Sequence, residues 1–541
     1  MTGSVTDPVN LTKLLILGAV GIAGLLLVLI RGWQQAMLTS KALMVAAALF
    51  LLSSISAVIF SSSPLTQNLY GVYGRNTGFL AYLFLIGVLL CALTIANLTS
   101  FKKLFFGLFV TGAVNVAYCG WVIFLGDFVG WSNPYGNILG LFGNPNFIGA
   151  FLGIWISATI GYFLVNKAPN WQRVLVALLV LLAMYEVYRS HAVQGVVVTA
   201  AGLATVLFYF IRSKTKGWLI TSIYSSGVVG FGVVAALGAL QKGPLAEYVY
   251  KTSVSLRGAY WNAGIQSGLS QPFTGVGMDS YGDWYRRSRT EYAATVLPGP
   301  KTVTNSAHNV FLDIFSYGGF PLFISYLGLV ALGGWAIISH LRRTRVYDPV
   351  FVGLSVAWLG YQLQSIISIN QIGLAVWGWV LTGALIAYEA TKRKGNESEV
   401  KATKAPARKS KQRSEVISNP LVAGLGAVVG LILACPPMSA DMAWVKATRS
   451  GNFTEVQKAL EPSYLRPRSS ERLVNAISIM ESSKLYDQAR EYALIATAYN
   501  PDSFDSWSAL YSIQNSTAEE KALALKNMTR LDPQNPDVTS R

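Results

Sequence analysis

The longest polar segment between hydrophobic runs covers residues 247–320 and reads EYVYKTSVSLRGAYWNAGIQSGLSQPFTGVGMDSYGDWYRRSRTEYAATVLPGPKTVTNSAHNVFLDIFSYGGF. It holds basic side chains that could act on an anionic substrate: Arg257, Arg286, Arg287, Arg289 and His308. Apolar runs long enough to cross a bilayer flank it on both sides. We therefore predict a water-facing catalytic loop on a membrane scaffold.

Composition supports this class of protein. Hydrophobic residues make up 52% of the 541 residues and charged residues only 13%, and the mean hydropathy is +0.43. A soluble chain of this length would struggle to remain in solution with that balance. The net charge of +17 does not indicate nucleic acid, because the basic residues cluster in short turns between apolar runs and in the tract 392–413.

The pattern predicts an all-α, polytopic membrane protein with about 12 transmembrane helices, a large extracytoplasmic loop and a C-terminal α-helical repeat domain. The predicted spans lie near residues 12–30, 42–60, 78–97, 104–126, 146–165, 171–188, 192–211, 217–240, 319–340, 350–368, 372–390 and 418–436. Six clusters of Lys and Arg fall on alternate connections. The positive-inside rule therefore places the long loop and the C-terminal domain outside the cell.

These boundaries divide the chain into six segments. They are N-terminal transmembrane helices at 1–240, an extracytoplasmic catalytic loop at 241–318, transmembrane helices at 319–391, a basic cytoplasmic linker at 392–417, a last transmembrane helix at 418–437, and an extracytoplasmic tetratricopeptide-like helical domain at 438–541.

The C-terminal segment shows a repeat. Asn500-Pro501 and Asp532-Pro533 each follow a helical pattern, at a spacing near the tetratricopeptide unit of about 34 residues. Such repeats offer a concave surface for a protein or a glycan. A plain helical bundle without a partner is the alternative.

His308 lies where the polar loop meets the next apolar run, in the sequence SAHNVFLDIF. An imidazole at such a boundary can be partly desolvated and still reach water, which suits a general base for a hydroxyl. A histidine that only anchors an interfacial helix is the alternative. His340 lies at the far end of that helix and cannot share a site with His308.

Arg189 and Arg257 are the strongest cationic candidates. A guanidinium keeps its charge and pairs with phosphate oxygens through a fixed fork of donors. Anchoring at the membrane interface is the alternative for both residues. Arg75 in YGRNTGFL is similar, and a solvated surface is the alternative for Arg286 and Arg287.

Several cofactor motifs are absent from the sequence. There is no GxxxxGK[ST] phosphate loop, no HExxH, no paired-cysteine metal site and no DxD. This disfavours an ATP-driven pump and a transferase that uses a nucleotide sugar in the cytosol. We expect neither a metal nor any other cofactor.

The order of several short motifs resembles the O-antigen ligase and polymerase superfamily of bacterial membrane glycan transferases. These motifs are GRNTGFLAYL, GLFGNPNFIGAFL, YRSHAVQG, RGAYWNAG, QPFTGVGMDSY and SAHNVFLDIFSYGGFP, within about residues 70–380. The family's histidine motif fits His308, Asn309 and Gly319, although Leu322 stands where the family has Gly, Thr or Tyr. The family's two arginine positions match Arg189 and Arg257.

The resemblance implies a metal-independent, inverting glycosyltransferase of the bacterial cytoplasmic membrane with an extracytoplasmic active site. It would move an oligosaccharide or polysaccharide from an undecaprenyl pyrophosphate carrier to a hydroxyl of a glycan, lipid or protein acceptor. The expected catalytic residues are His308, Arg257 and Arg189. The expected substrate-binding residues are Arg75, Asn309, Tyr260, Arg286 and Arg287.

Other functions remain open from the sequence. Within the superfamily the alternatives are a polysaccharide polymerase and a protein O-oligosaccharyltransferase. A solute transporter is the alternative of another class, although the spans show few of the paired midplane ionisable residues that carriers use. Membrane lipid is an expected partner, as is a protein at the C-terminal repeat domain, whereas nucleic acid is not.

Overall fold

The fold is that of a computed structural model, which describes residues 3–130, 133–249, 252–402 and 418–540. Within those ranges the regular structure is helical and no β-strand occurs. A π-helical turn at Val28–Gly32 and a 3-10 turn at Gly140–Phe142 interrupt the α-helices. The prediction of an all-helical chain is therefore confirmed for the described residues.

In the described part of residues 1–240, nine α-helices precede the long loop. They are α1 (Pro8–Leu27), α2 (Trp33–Ile59), α3 (Leu65–Tyr70), α4 (Phe79–Leu93), α5 (Leu98–Leu125), α6 (Pro145–Phe163), α7 (Asn170–Arg189), α8 (Val193–Lys214) and α9 (Leu219–Ala239). Four short or amphipathic helices follow in the loop: α10 (Ala246–Val249), α11 (Thr252–Ser270), α12 (Tyr281–Ser288) and α13 (Glu291–Thr295).

Four long helices come next: α14 (Val310–Arg343), α15 (Pro349–Ser365), α16 (Ile372–Ala402) and α17 (Pro420–Ser450). The chain ends in α18 (Phe453–Leu460), α19 (Ser470–Ser482), α20 (Tyr486–Tyr499), α21 (Phe504–Ser512), α22 (Ala518–Leu531) and α23 (Pro536–Thr539). Helices α19 and α20 pack against each other, as do α21 and α22. The tetratricopeptide interpretation of these hairpins stays a prediction.

Nine of the described helical stretches are long and apolar enough to cross a membrane, so the predicted twelve spans are not confirmed. The predicted spans at 12–30 and 42–60 fall within one stretch, Pro8–Ile59, which is broken by non-helical backbone at Ser40. A hydrocarbon core of about 30 Å requires roughly 20 helical residues, whereas α4 has 15 and α15 has 17.

The two short apolar helices lie inside the helical assembly. Helix α4 packs between α1 and α16, and α15 packs against α6 and α16. Nearly all of their side chains are buried. Protein atoms therefore cover them where a longer helix would face lipid.

The helix bounds differ from two of the predicted segment boundaries. Residues 310–318 were assigned to the loop, but α14 already begins at Val310 and continues to a break at Gly318 and Gly319. At the other boundary, α17 runs without interruption through position 438, where the C-terminal domain was expected to begin. Of the predicted basic linker at 392–417, residues 403–417 lie outside the described residues.

The break in α14 has a local cause. Gly319 has φ +61°, which a residue with a Cβ rarely adopts, and Pro321 cannot supply a backbone donor. The loop satisfies the backbone groups exposed at the break. Phe320 N–H donates to the carbonyl of Pro272 (2.8 Å), and Gly277 N–H donates to the carbonyl of Tyr317 (3.1 Å).

An ion pair attaches the C-terminal helices to the loop. Arg289 of the loop donates to both carboxylate oxygens of Asp532, at 2.8 and 2.9 Å from Nη2 and 3.2 Å from Nε, and both side chains are fully buried. Asn500 donates to the carboxylate of Asp283 in α12 (3.3 Å). Asn500 and Asp532 cap the ends of α20 and α22, so the two Asx-Pro turns singled out in the sequence form this interface.

We expect Asp532→Asn to loosen this interface. The exchange keeps the shape of the side chain but leaves the buried Arg289 without an anion, and breaking a buried pair costs about 3–5 kcal/mol. Thermal unfolding of the detergent-solubilised full chain, with protease sensitivity of residues 452–540 as a second readout, measures the effect.

The matched control is Glu455→Gln, which breaks the exposed pair between Glu455 and Lys458. Surface pairs contribute about 0–1 kcal/mol, so its melting temperature should stay close to that of wild type. Equal melting temperatures for the two variants would contradict the assignment of Arg289 and Asp532 as the attachment.

Candidate functional site

His308 ends the loop immediately before α14. Its backbone is in the left-handed region (φ 53°), and its N–H donates to Ser306 Oγ (3.0 Å). The imidazole stacks on the ring of Tyr260 in α11, with ring centroids 5.6 Å apart and planes at 28°. Two elements far apart in sequence therefore hold one half-buried imidazole.

Asp313 shapes the turn that carries His308. Its fully buried carboxylate accepts hydrogen bonds from Ser306 Oγ (2.7 Å) and from the N–H of Ala307 (2.7 Å). The following residue, Asn309, caps α14 by accepting from the N–H groups of Phe311 (3.0 Å) and Leu312 (3.2 Å). The turn formed by residues 306–309, here called the SAHN turn, is thus held from both sides. This restricts where the imidazole can point.

Arg75 lies beside the same turn. Its Nη2 is 3.2 Å from Asp279 Oδ1 and 3.9 Å from Asp313 Oδ2, and it donates to Tyr317 Oη (2.9 Å). Its Nη1 donates to the carbonyl of Asn305. Burial alone would lower the pKa of this guanidinium, but the carboxylate of Asp279 and the neighbouring oxygens outweigh burial and raise it. The positive charge of Arg75 is therefore balanced by nearby carboxylates.

Arg257 differs from Arg75 in its ion pairs within the part of the chain that the structure describes. It lies on α11 one turn before Tyr260, so both side chains lie on the same face of the helix. Among the described residues no carboxylate forms an ion pair with Arg257. Burial lowers the pKa of its guanidinium. The site thus contains a partly desolvated cation whose donors are available to an anion.

The two arginines lower the pKa of the His308 imidazole. Burial, then the charge of Arg257, then that of Arg75 lower the pKa of His308 from its usual 6.5 to about 4. At neutral pH the ring is therefore uncharged and can accept a proton. A neutral imidazole beside an unpaired guanidinium can accept the proton of a hydroxyl while the cation holds an anionic group.

Two other predicted substrate-binding residues have structural contacts here. The side chain of Tyr260 stacks on His308 and meets Tyr285 edge-to-face, and its carbonyl accepts from Tyr281 Oη (2.8 Å). The amide oxygen of Asn309 is occupied by the cap of α14. Their predicted role in binding substrate stays a prediction.

Arg286 and Arg287 point toward the C-terminal helices. Arg286 forms ion pairs with Asp532 (3.2 Å) and Asp505 (3.4 Å), and Arg287 pairs with Asp502 (2.9 Å). Both side chains are mostly buried and not on a solvated face. Their contacts hold the C-terminal helices, and their predicted role in binding substrate stays a prediction.

Arg189 ends α7 and is exposed. Its Nη1 donates to Tyr185 Oη (2.9 Å), and its guanidinium lies over the ring of the same tyrosine. No contact among the described residues joins Arg189 to His308 or Arg257. The structure brings together His308, Arg257, Tyr260 and Arg75, and it leaves Arg189 outside that group.

The sequence analysis singled out neither Asp313 nor Tyr317, and it assigned no role to Asp279. Asp279 accepts from the N–H of Val72 (2.9 Å) and from Tyr317 Oη (3.0 Å), so it links the loop to the segment before α4. A usable signal was present for Asp313. A carboxylate inside an apolar helix is costly without a partner, and its presence in VFLDIF could have indicated a buried cation.

The comparison with protein families concerns this region. Residues 174–327 match the O-antigen ligase family, Wzy_C. The matched segment runs from α7 into α14 and contains Arg189, Arg257 and His308, but not Arg75 or the C-terminal helices. No curated protein matches the chain. The family match supports the O-antigen ligase superfamily and, with the nine apolar helices, indicates a multi-pass glycan transferase of the bacterial inner membrane.

We expect the imidazole of His308 to remain neutral far below the usual histidine pKa of about 6.5. Diethyl pyrocarbonate modifies neutral imidazole, so its reaction at His308, followed by peptide mass spectrometry, should stay level from about pH 8 to about pH 5. Arg257→Gln removes one of the two cations that lower the pKa of His308. The reaction at His308 should therefore begin to fall at a higher pH in this variant. Hydrolysis of the reagent is measured separately at each pH.

A midpoint for His308 near the usual histidine value would contradict the proposed electrostatic environment. An unchanged midpoint in Arg257→Gln would instead show that burial and Arg75 depress the pKa of His308 without a contribution from Arg257. Circular dichroism at each pH verifies that the helices remain folded.

Proposed function

We propose that this protein transfers an oligosaccharide or polysaccharide from a polyprenyl pyrophosphate carrier to an acceptor hydroxyl at the outer face of the cytoplasmic membrane. The observation that carries the proposal is the His308 imidazole stacked on Tyr260, one helical turn from Arg257, which forms no ion pair with any described carboxylate, within the segment that matches the O-antigen ligase family. This pairing of a base with an anion-binding cation is what glycosyl transfer from a diphosphate requires.

The proposed step balances without a further reactant. The acceptor oxygen forms a bond to the anomeric carbon of the donor sugar, and the bond from that carbon to the diphosphate oxygen breaks. The hydroxyl proton passes to His308, and the electron pair leaves with polyprenyl diphosphate. Attack from the face opposite the leaving group inverts the anomeric centre. Arg257 would stabilise the charge that builds on the diphosphate.

Donor binding would also tune the base. A pKa of about 4 makes His308 a weak base in the empty site, whereas general bases work best when their pKa lies near the working pH. A diphosphate on Arg257 would offset one of the cations that depress this pKa. The imidazole would then become more basic only when the donor is bound, which would limit wasteful hydrolysis.

Arg75 and Arg189 have different proposed roles. Arg75 would position the SAHN turn through Asp279 and Asp313, and its side chain is too engaged to bind a phosphate as Arg257 would. Arg189 stays a proposed donor contact. Its exposed position at the end of α7 suits a carrier that approaches along the membrane surface, and a variant can test whether that contact occurs.

We also propose that the active site and the C-terminal helices face the outside. The six clusters of positive charge lie on connections opposite to those that carry Arg75, His308 and the C-terminal helices. A tetratricopeptide-like arrangement of α19 to α22 would then present a surface beside the loop. The acceptor on that side could be a lipid-linked core sugar, a growing polymer or a protein hydroxyl.

The test is a transfer assay in proteoliposomes with a fluorescent undecaprenyl-diphosphate oligosaccharide and a panel of glycan, lipid and peptide acceptors. We expect His308→Ala to reduce transfer about 100-fold or more, because the base is lost. Arg257→Ala should cause a loss of similar size through the leaving group. Arg189→Ala reports whether Arg189 contacts the donor.

Two controls keep this test specific. His191→Ala removes an exposed histidine outside the proposed site and should leave transfer within about twofold of wild type. Arg257→Lys keeps the charge but not the fork, so partial recovery is expected. Undiminished transfer by both alanine variants would reject the site. Solute uptake by wild type without any transfer would favour a carrier.

A further inference from the structure

We propose that the uncharged part of the long loop, residues 258–278, rests on the membrane and inserts Ile265, Leu269 and Phe273 among the acyl chains of the adjoining leaflet. The partner is thus a lipid surface, and these three side chains are here called the loop ridge. The inference is independent of the proposed function, because it concerns how the loop is held and not which reaction occurs in it.

The loop ridge is exposed although its side chains are apolar. Ile265 and Leu269 are four residues apart on α11 and therefore lie on one face of the helix, and both are exposed. Phe273 follows shortly after the end of α11 and is 75% exposed. A single apolar side chain on a surface is ordinary, whereas a contiguous group indicates a partner or a membrane.

Another face of α11 packs closely on α14 and the turn before it, through two glycines. A Cβ at Gly264 would lie 3.2 Å from the Cβ of Ala307, and a Cβ at Gly268 would lie 2.4 Å from the ring of Phe315. The small residues let the two helices approach each other. These contacts settle which face of α11 is covered by protein, and the loop ridge lies outside that face.

The first part of α14 is bent across the rest of the helix. The ring centroids of Phe311 and Tyr326 are 5.4 Å apart, whereas a straight helix would separate these two positions by about 22 Å. The bend lies at Gly318 and Gly319. Because α11 packs along the part before the bend, it is held near the end of the apolar helix and close to a bilayer that the helix crosses.

Phe320 marks the depth of the loop ridge. The stretch from Phe320 to Arg342 is about 33 Å long at the α-helical rise, and a hydrocarbon core is about 30 Å thick. Arg342 lies over the ring of Trp335, a combination typical of the membrane interface. Phe320 therefore lies near the opposite boundary of the core. Its N–H donates to the carbonyl of Pro272 (2.8 Å), which places Phe273 at the same boundary.

The loop ridge continues a surface that faces lipid. Phe320 and Ile324 are one turn apart on α14, and both are exposed. Helix α14 is one of the described stretches that are long and apolar enough to cross a membrane. The hydrogen bond between Phe320 and Pro272 joins this side of the helix to Phe273. Acyl chains that cover Ile324 can therefore also cover the loop ridge.

Charge separates two sides of the loop. Residues 258–278 contain no Asp, Glu, Lys or Arg, so covering them with lipid desolvates no ion. Arg286, Arg287 and Arg289 of the following segment pair with acids of the C-terminal helices. Protein thus covers the charged side of the loop, and the uncharged side is the one that suits a bilayer.

Insertion of the loop ridge would fix the position of the candidate site. Helix α11 carries Arg257 and also Tyr260, which stacks on His308. An apolar face buried in the interface holds a helix at a defined depth. The guanidinium and the imidazole would then stay close to the leaflet surface.

Fluorescence quenching in proteoliposomes tests the insertion. The cysteines Cys91, Cys119 and Cys435 are replaced by alanine in the full-length chain, and one new cysteine carries an environment-sensitive fluorophore. The bilayer is a mixture of phosphatidylethanolamine and phosphatidylglycerol. We expect labels at Phe273→Cys and Leu269→Cys to emit at shorter wavelength than in water. A phospholipid with a nitroxide near the top of its acyl chain should quench them strongly, and a water-soluble nitroxide should quench them weakly.

Two matched positions calibrate the depth. Ile324→Cys, on the exposed side of α14, should be quenched by the lipid nitroxide. Lys301→Cys should be quenched by the water-soluble one, because Lys301 is exposed and lies between Pro300 and Thr302, whose carbonyls accept from Arg289. Circular dichroism and thermal unfolding verify that each labelled variant is folded.

A charge on the loop ridge should release it from the lipid. With the label at Ile265→Cys, the exchanges Leu269→Asp and Phe273→Asp together should reduce quenching by the lipid nitroxide at least about twofold, because an ionised carboxylate is costly in hydrocarbon. Lys301→Asp is the matched control, and it should leave the quenching of that label unchanged.

Three results would overturn the inference. The first is quenching of the labels at 269 and 273 in the manner of the label at 301. The second is no effect of the two aspartates on the label at 265. The third is shielding of the ridge labels from both quenchers, and disulfide formation between cysteines at position 273 of two chains would then identify a second copy as the cover. None of these readouts depends on catalysis, so failure of the proposed function would leave them unaffected.

Discussion

The buried charge of Arg75 is the constraint on which the site depends. Its guanidinium lies between Asp279 of the long loop and Asp313 of α14, while Asp279 also receives the N–H of Val72 from the segment that carries Arg75 itself. Removing three charges from water is costly unless each finds its partner. This requirement brings together three segments that are distant in sequence, and it holds the SAHN turn against α11.

Ion pairs with acidic residues also distinguish the arginines that have a structural role from those that are functional candidates. Arg286, Arg287 and Arg289 each have acidic partners on the C-terminal helices, so their charge stabilises an interface. Arg257 forms no ion pair among the described residues. Because a desolvated cation without a counter-ion is unfavourable, Arg257 is where an anionic ligand would gain most. The same residue type thus serves attachment in one place and recognition in another.

The coupling between the C-terminal helices and the loop has a structural consequence. The Asx-Pro turns that end α20 and α22 contact α12 and the residue that follows it, and α12 is connected to the candidate site through Tyr281 and Tyr285. Movement of the C-terminal helices would therefore change the packing behind Tyr260.

The sequence by itself determined the class of the protein, the helical character of the chain and the residue types of the site. Hydropathy, the breaks at Gly and Pro, and charged residues in apolar surroundings are all patterns among neighbouring residues, so they can be recognised without the tertiary structure. His308, Arg257 and Arg75 were recognisable for that reason. The sequence could not show that α4 and α15 are short buried helices, that α14 begins at Val310, or that Arg286 and Arg287 face Asp532 and Asp502. Only the tertiary structure decided which charges find partners, because ion pairing depends on contacts between segments hundreds of residues apart, and local pattern carries no information about them.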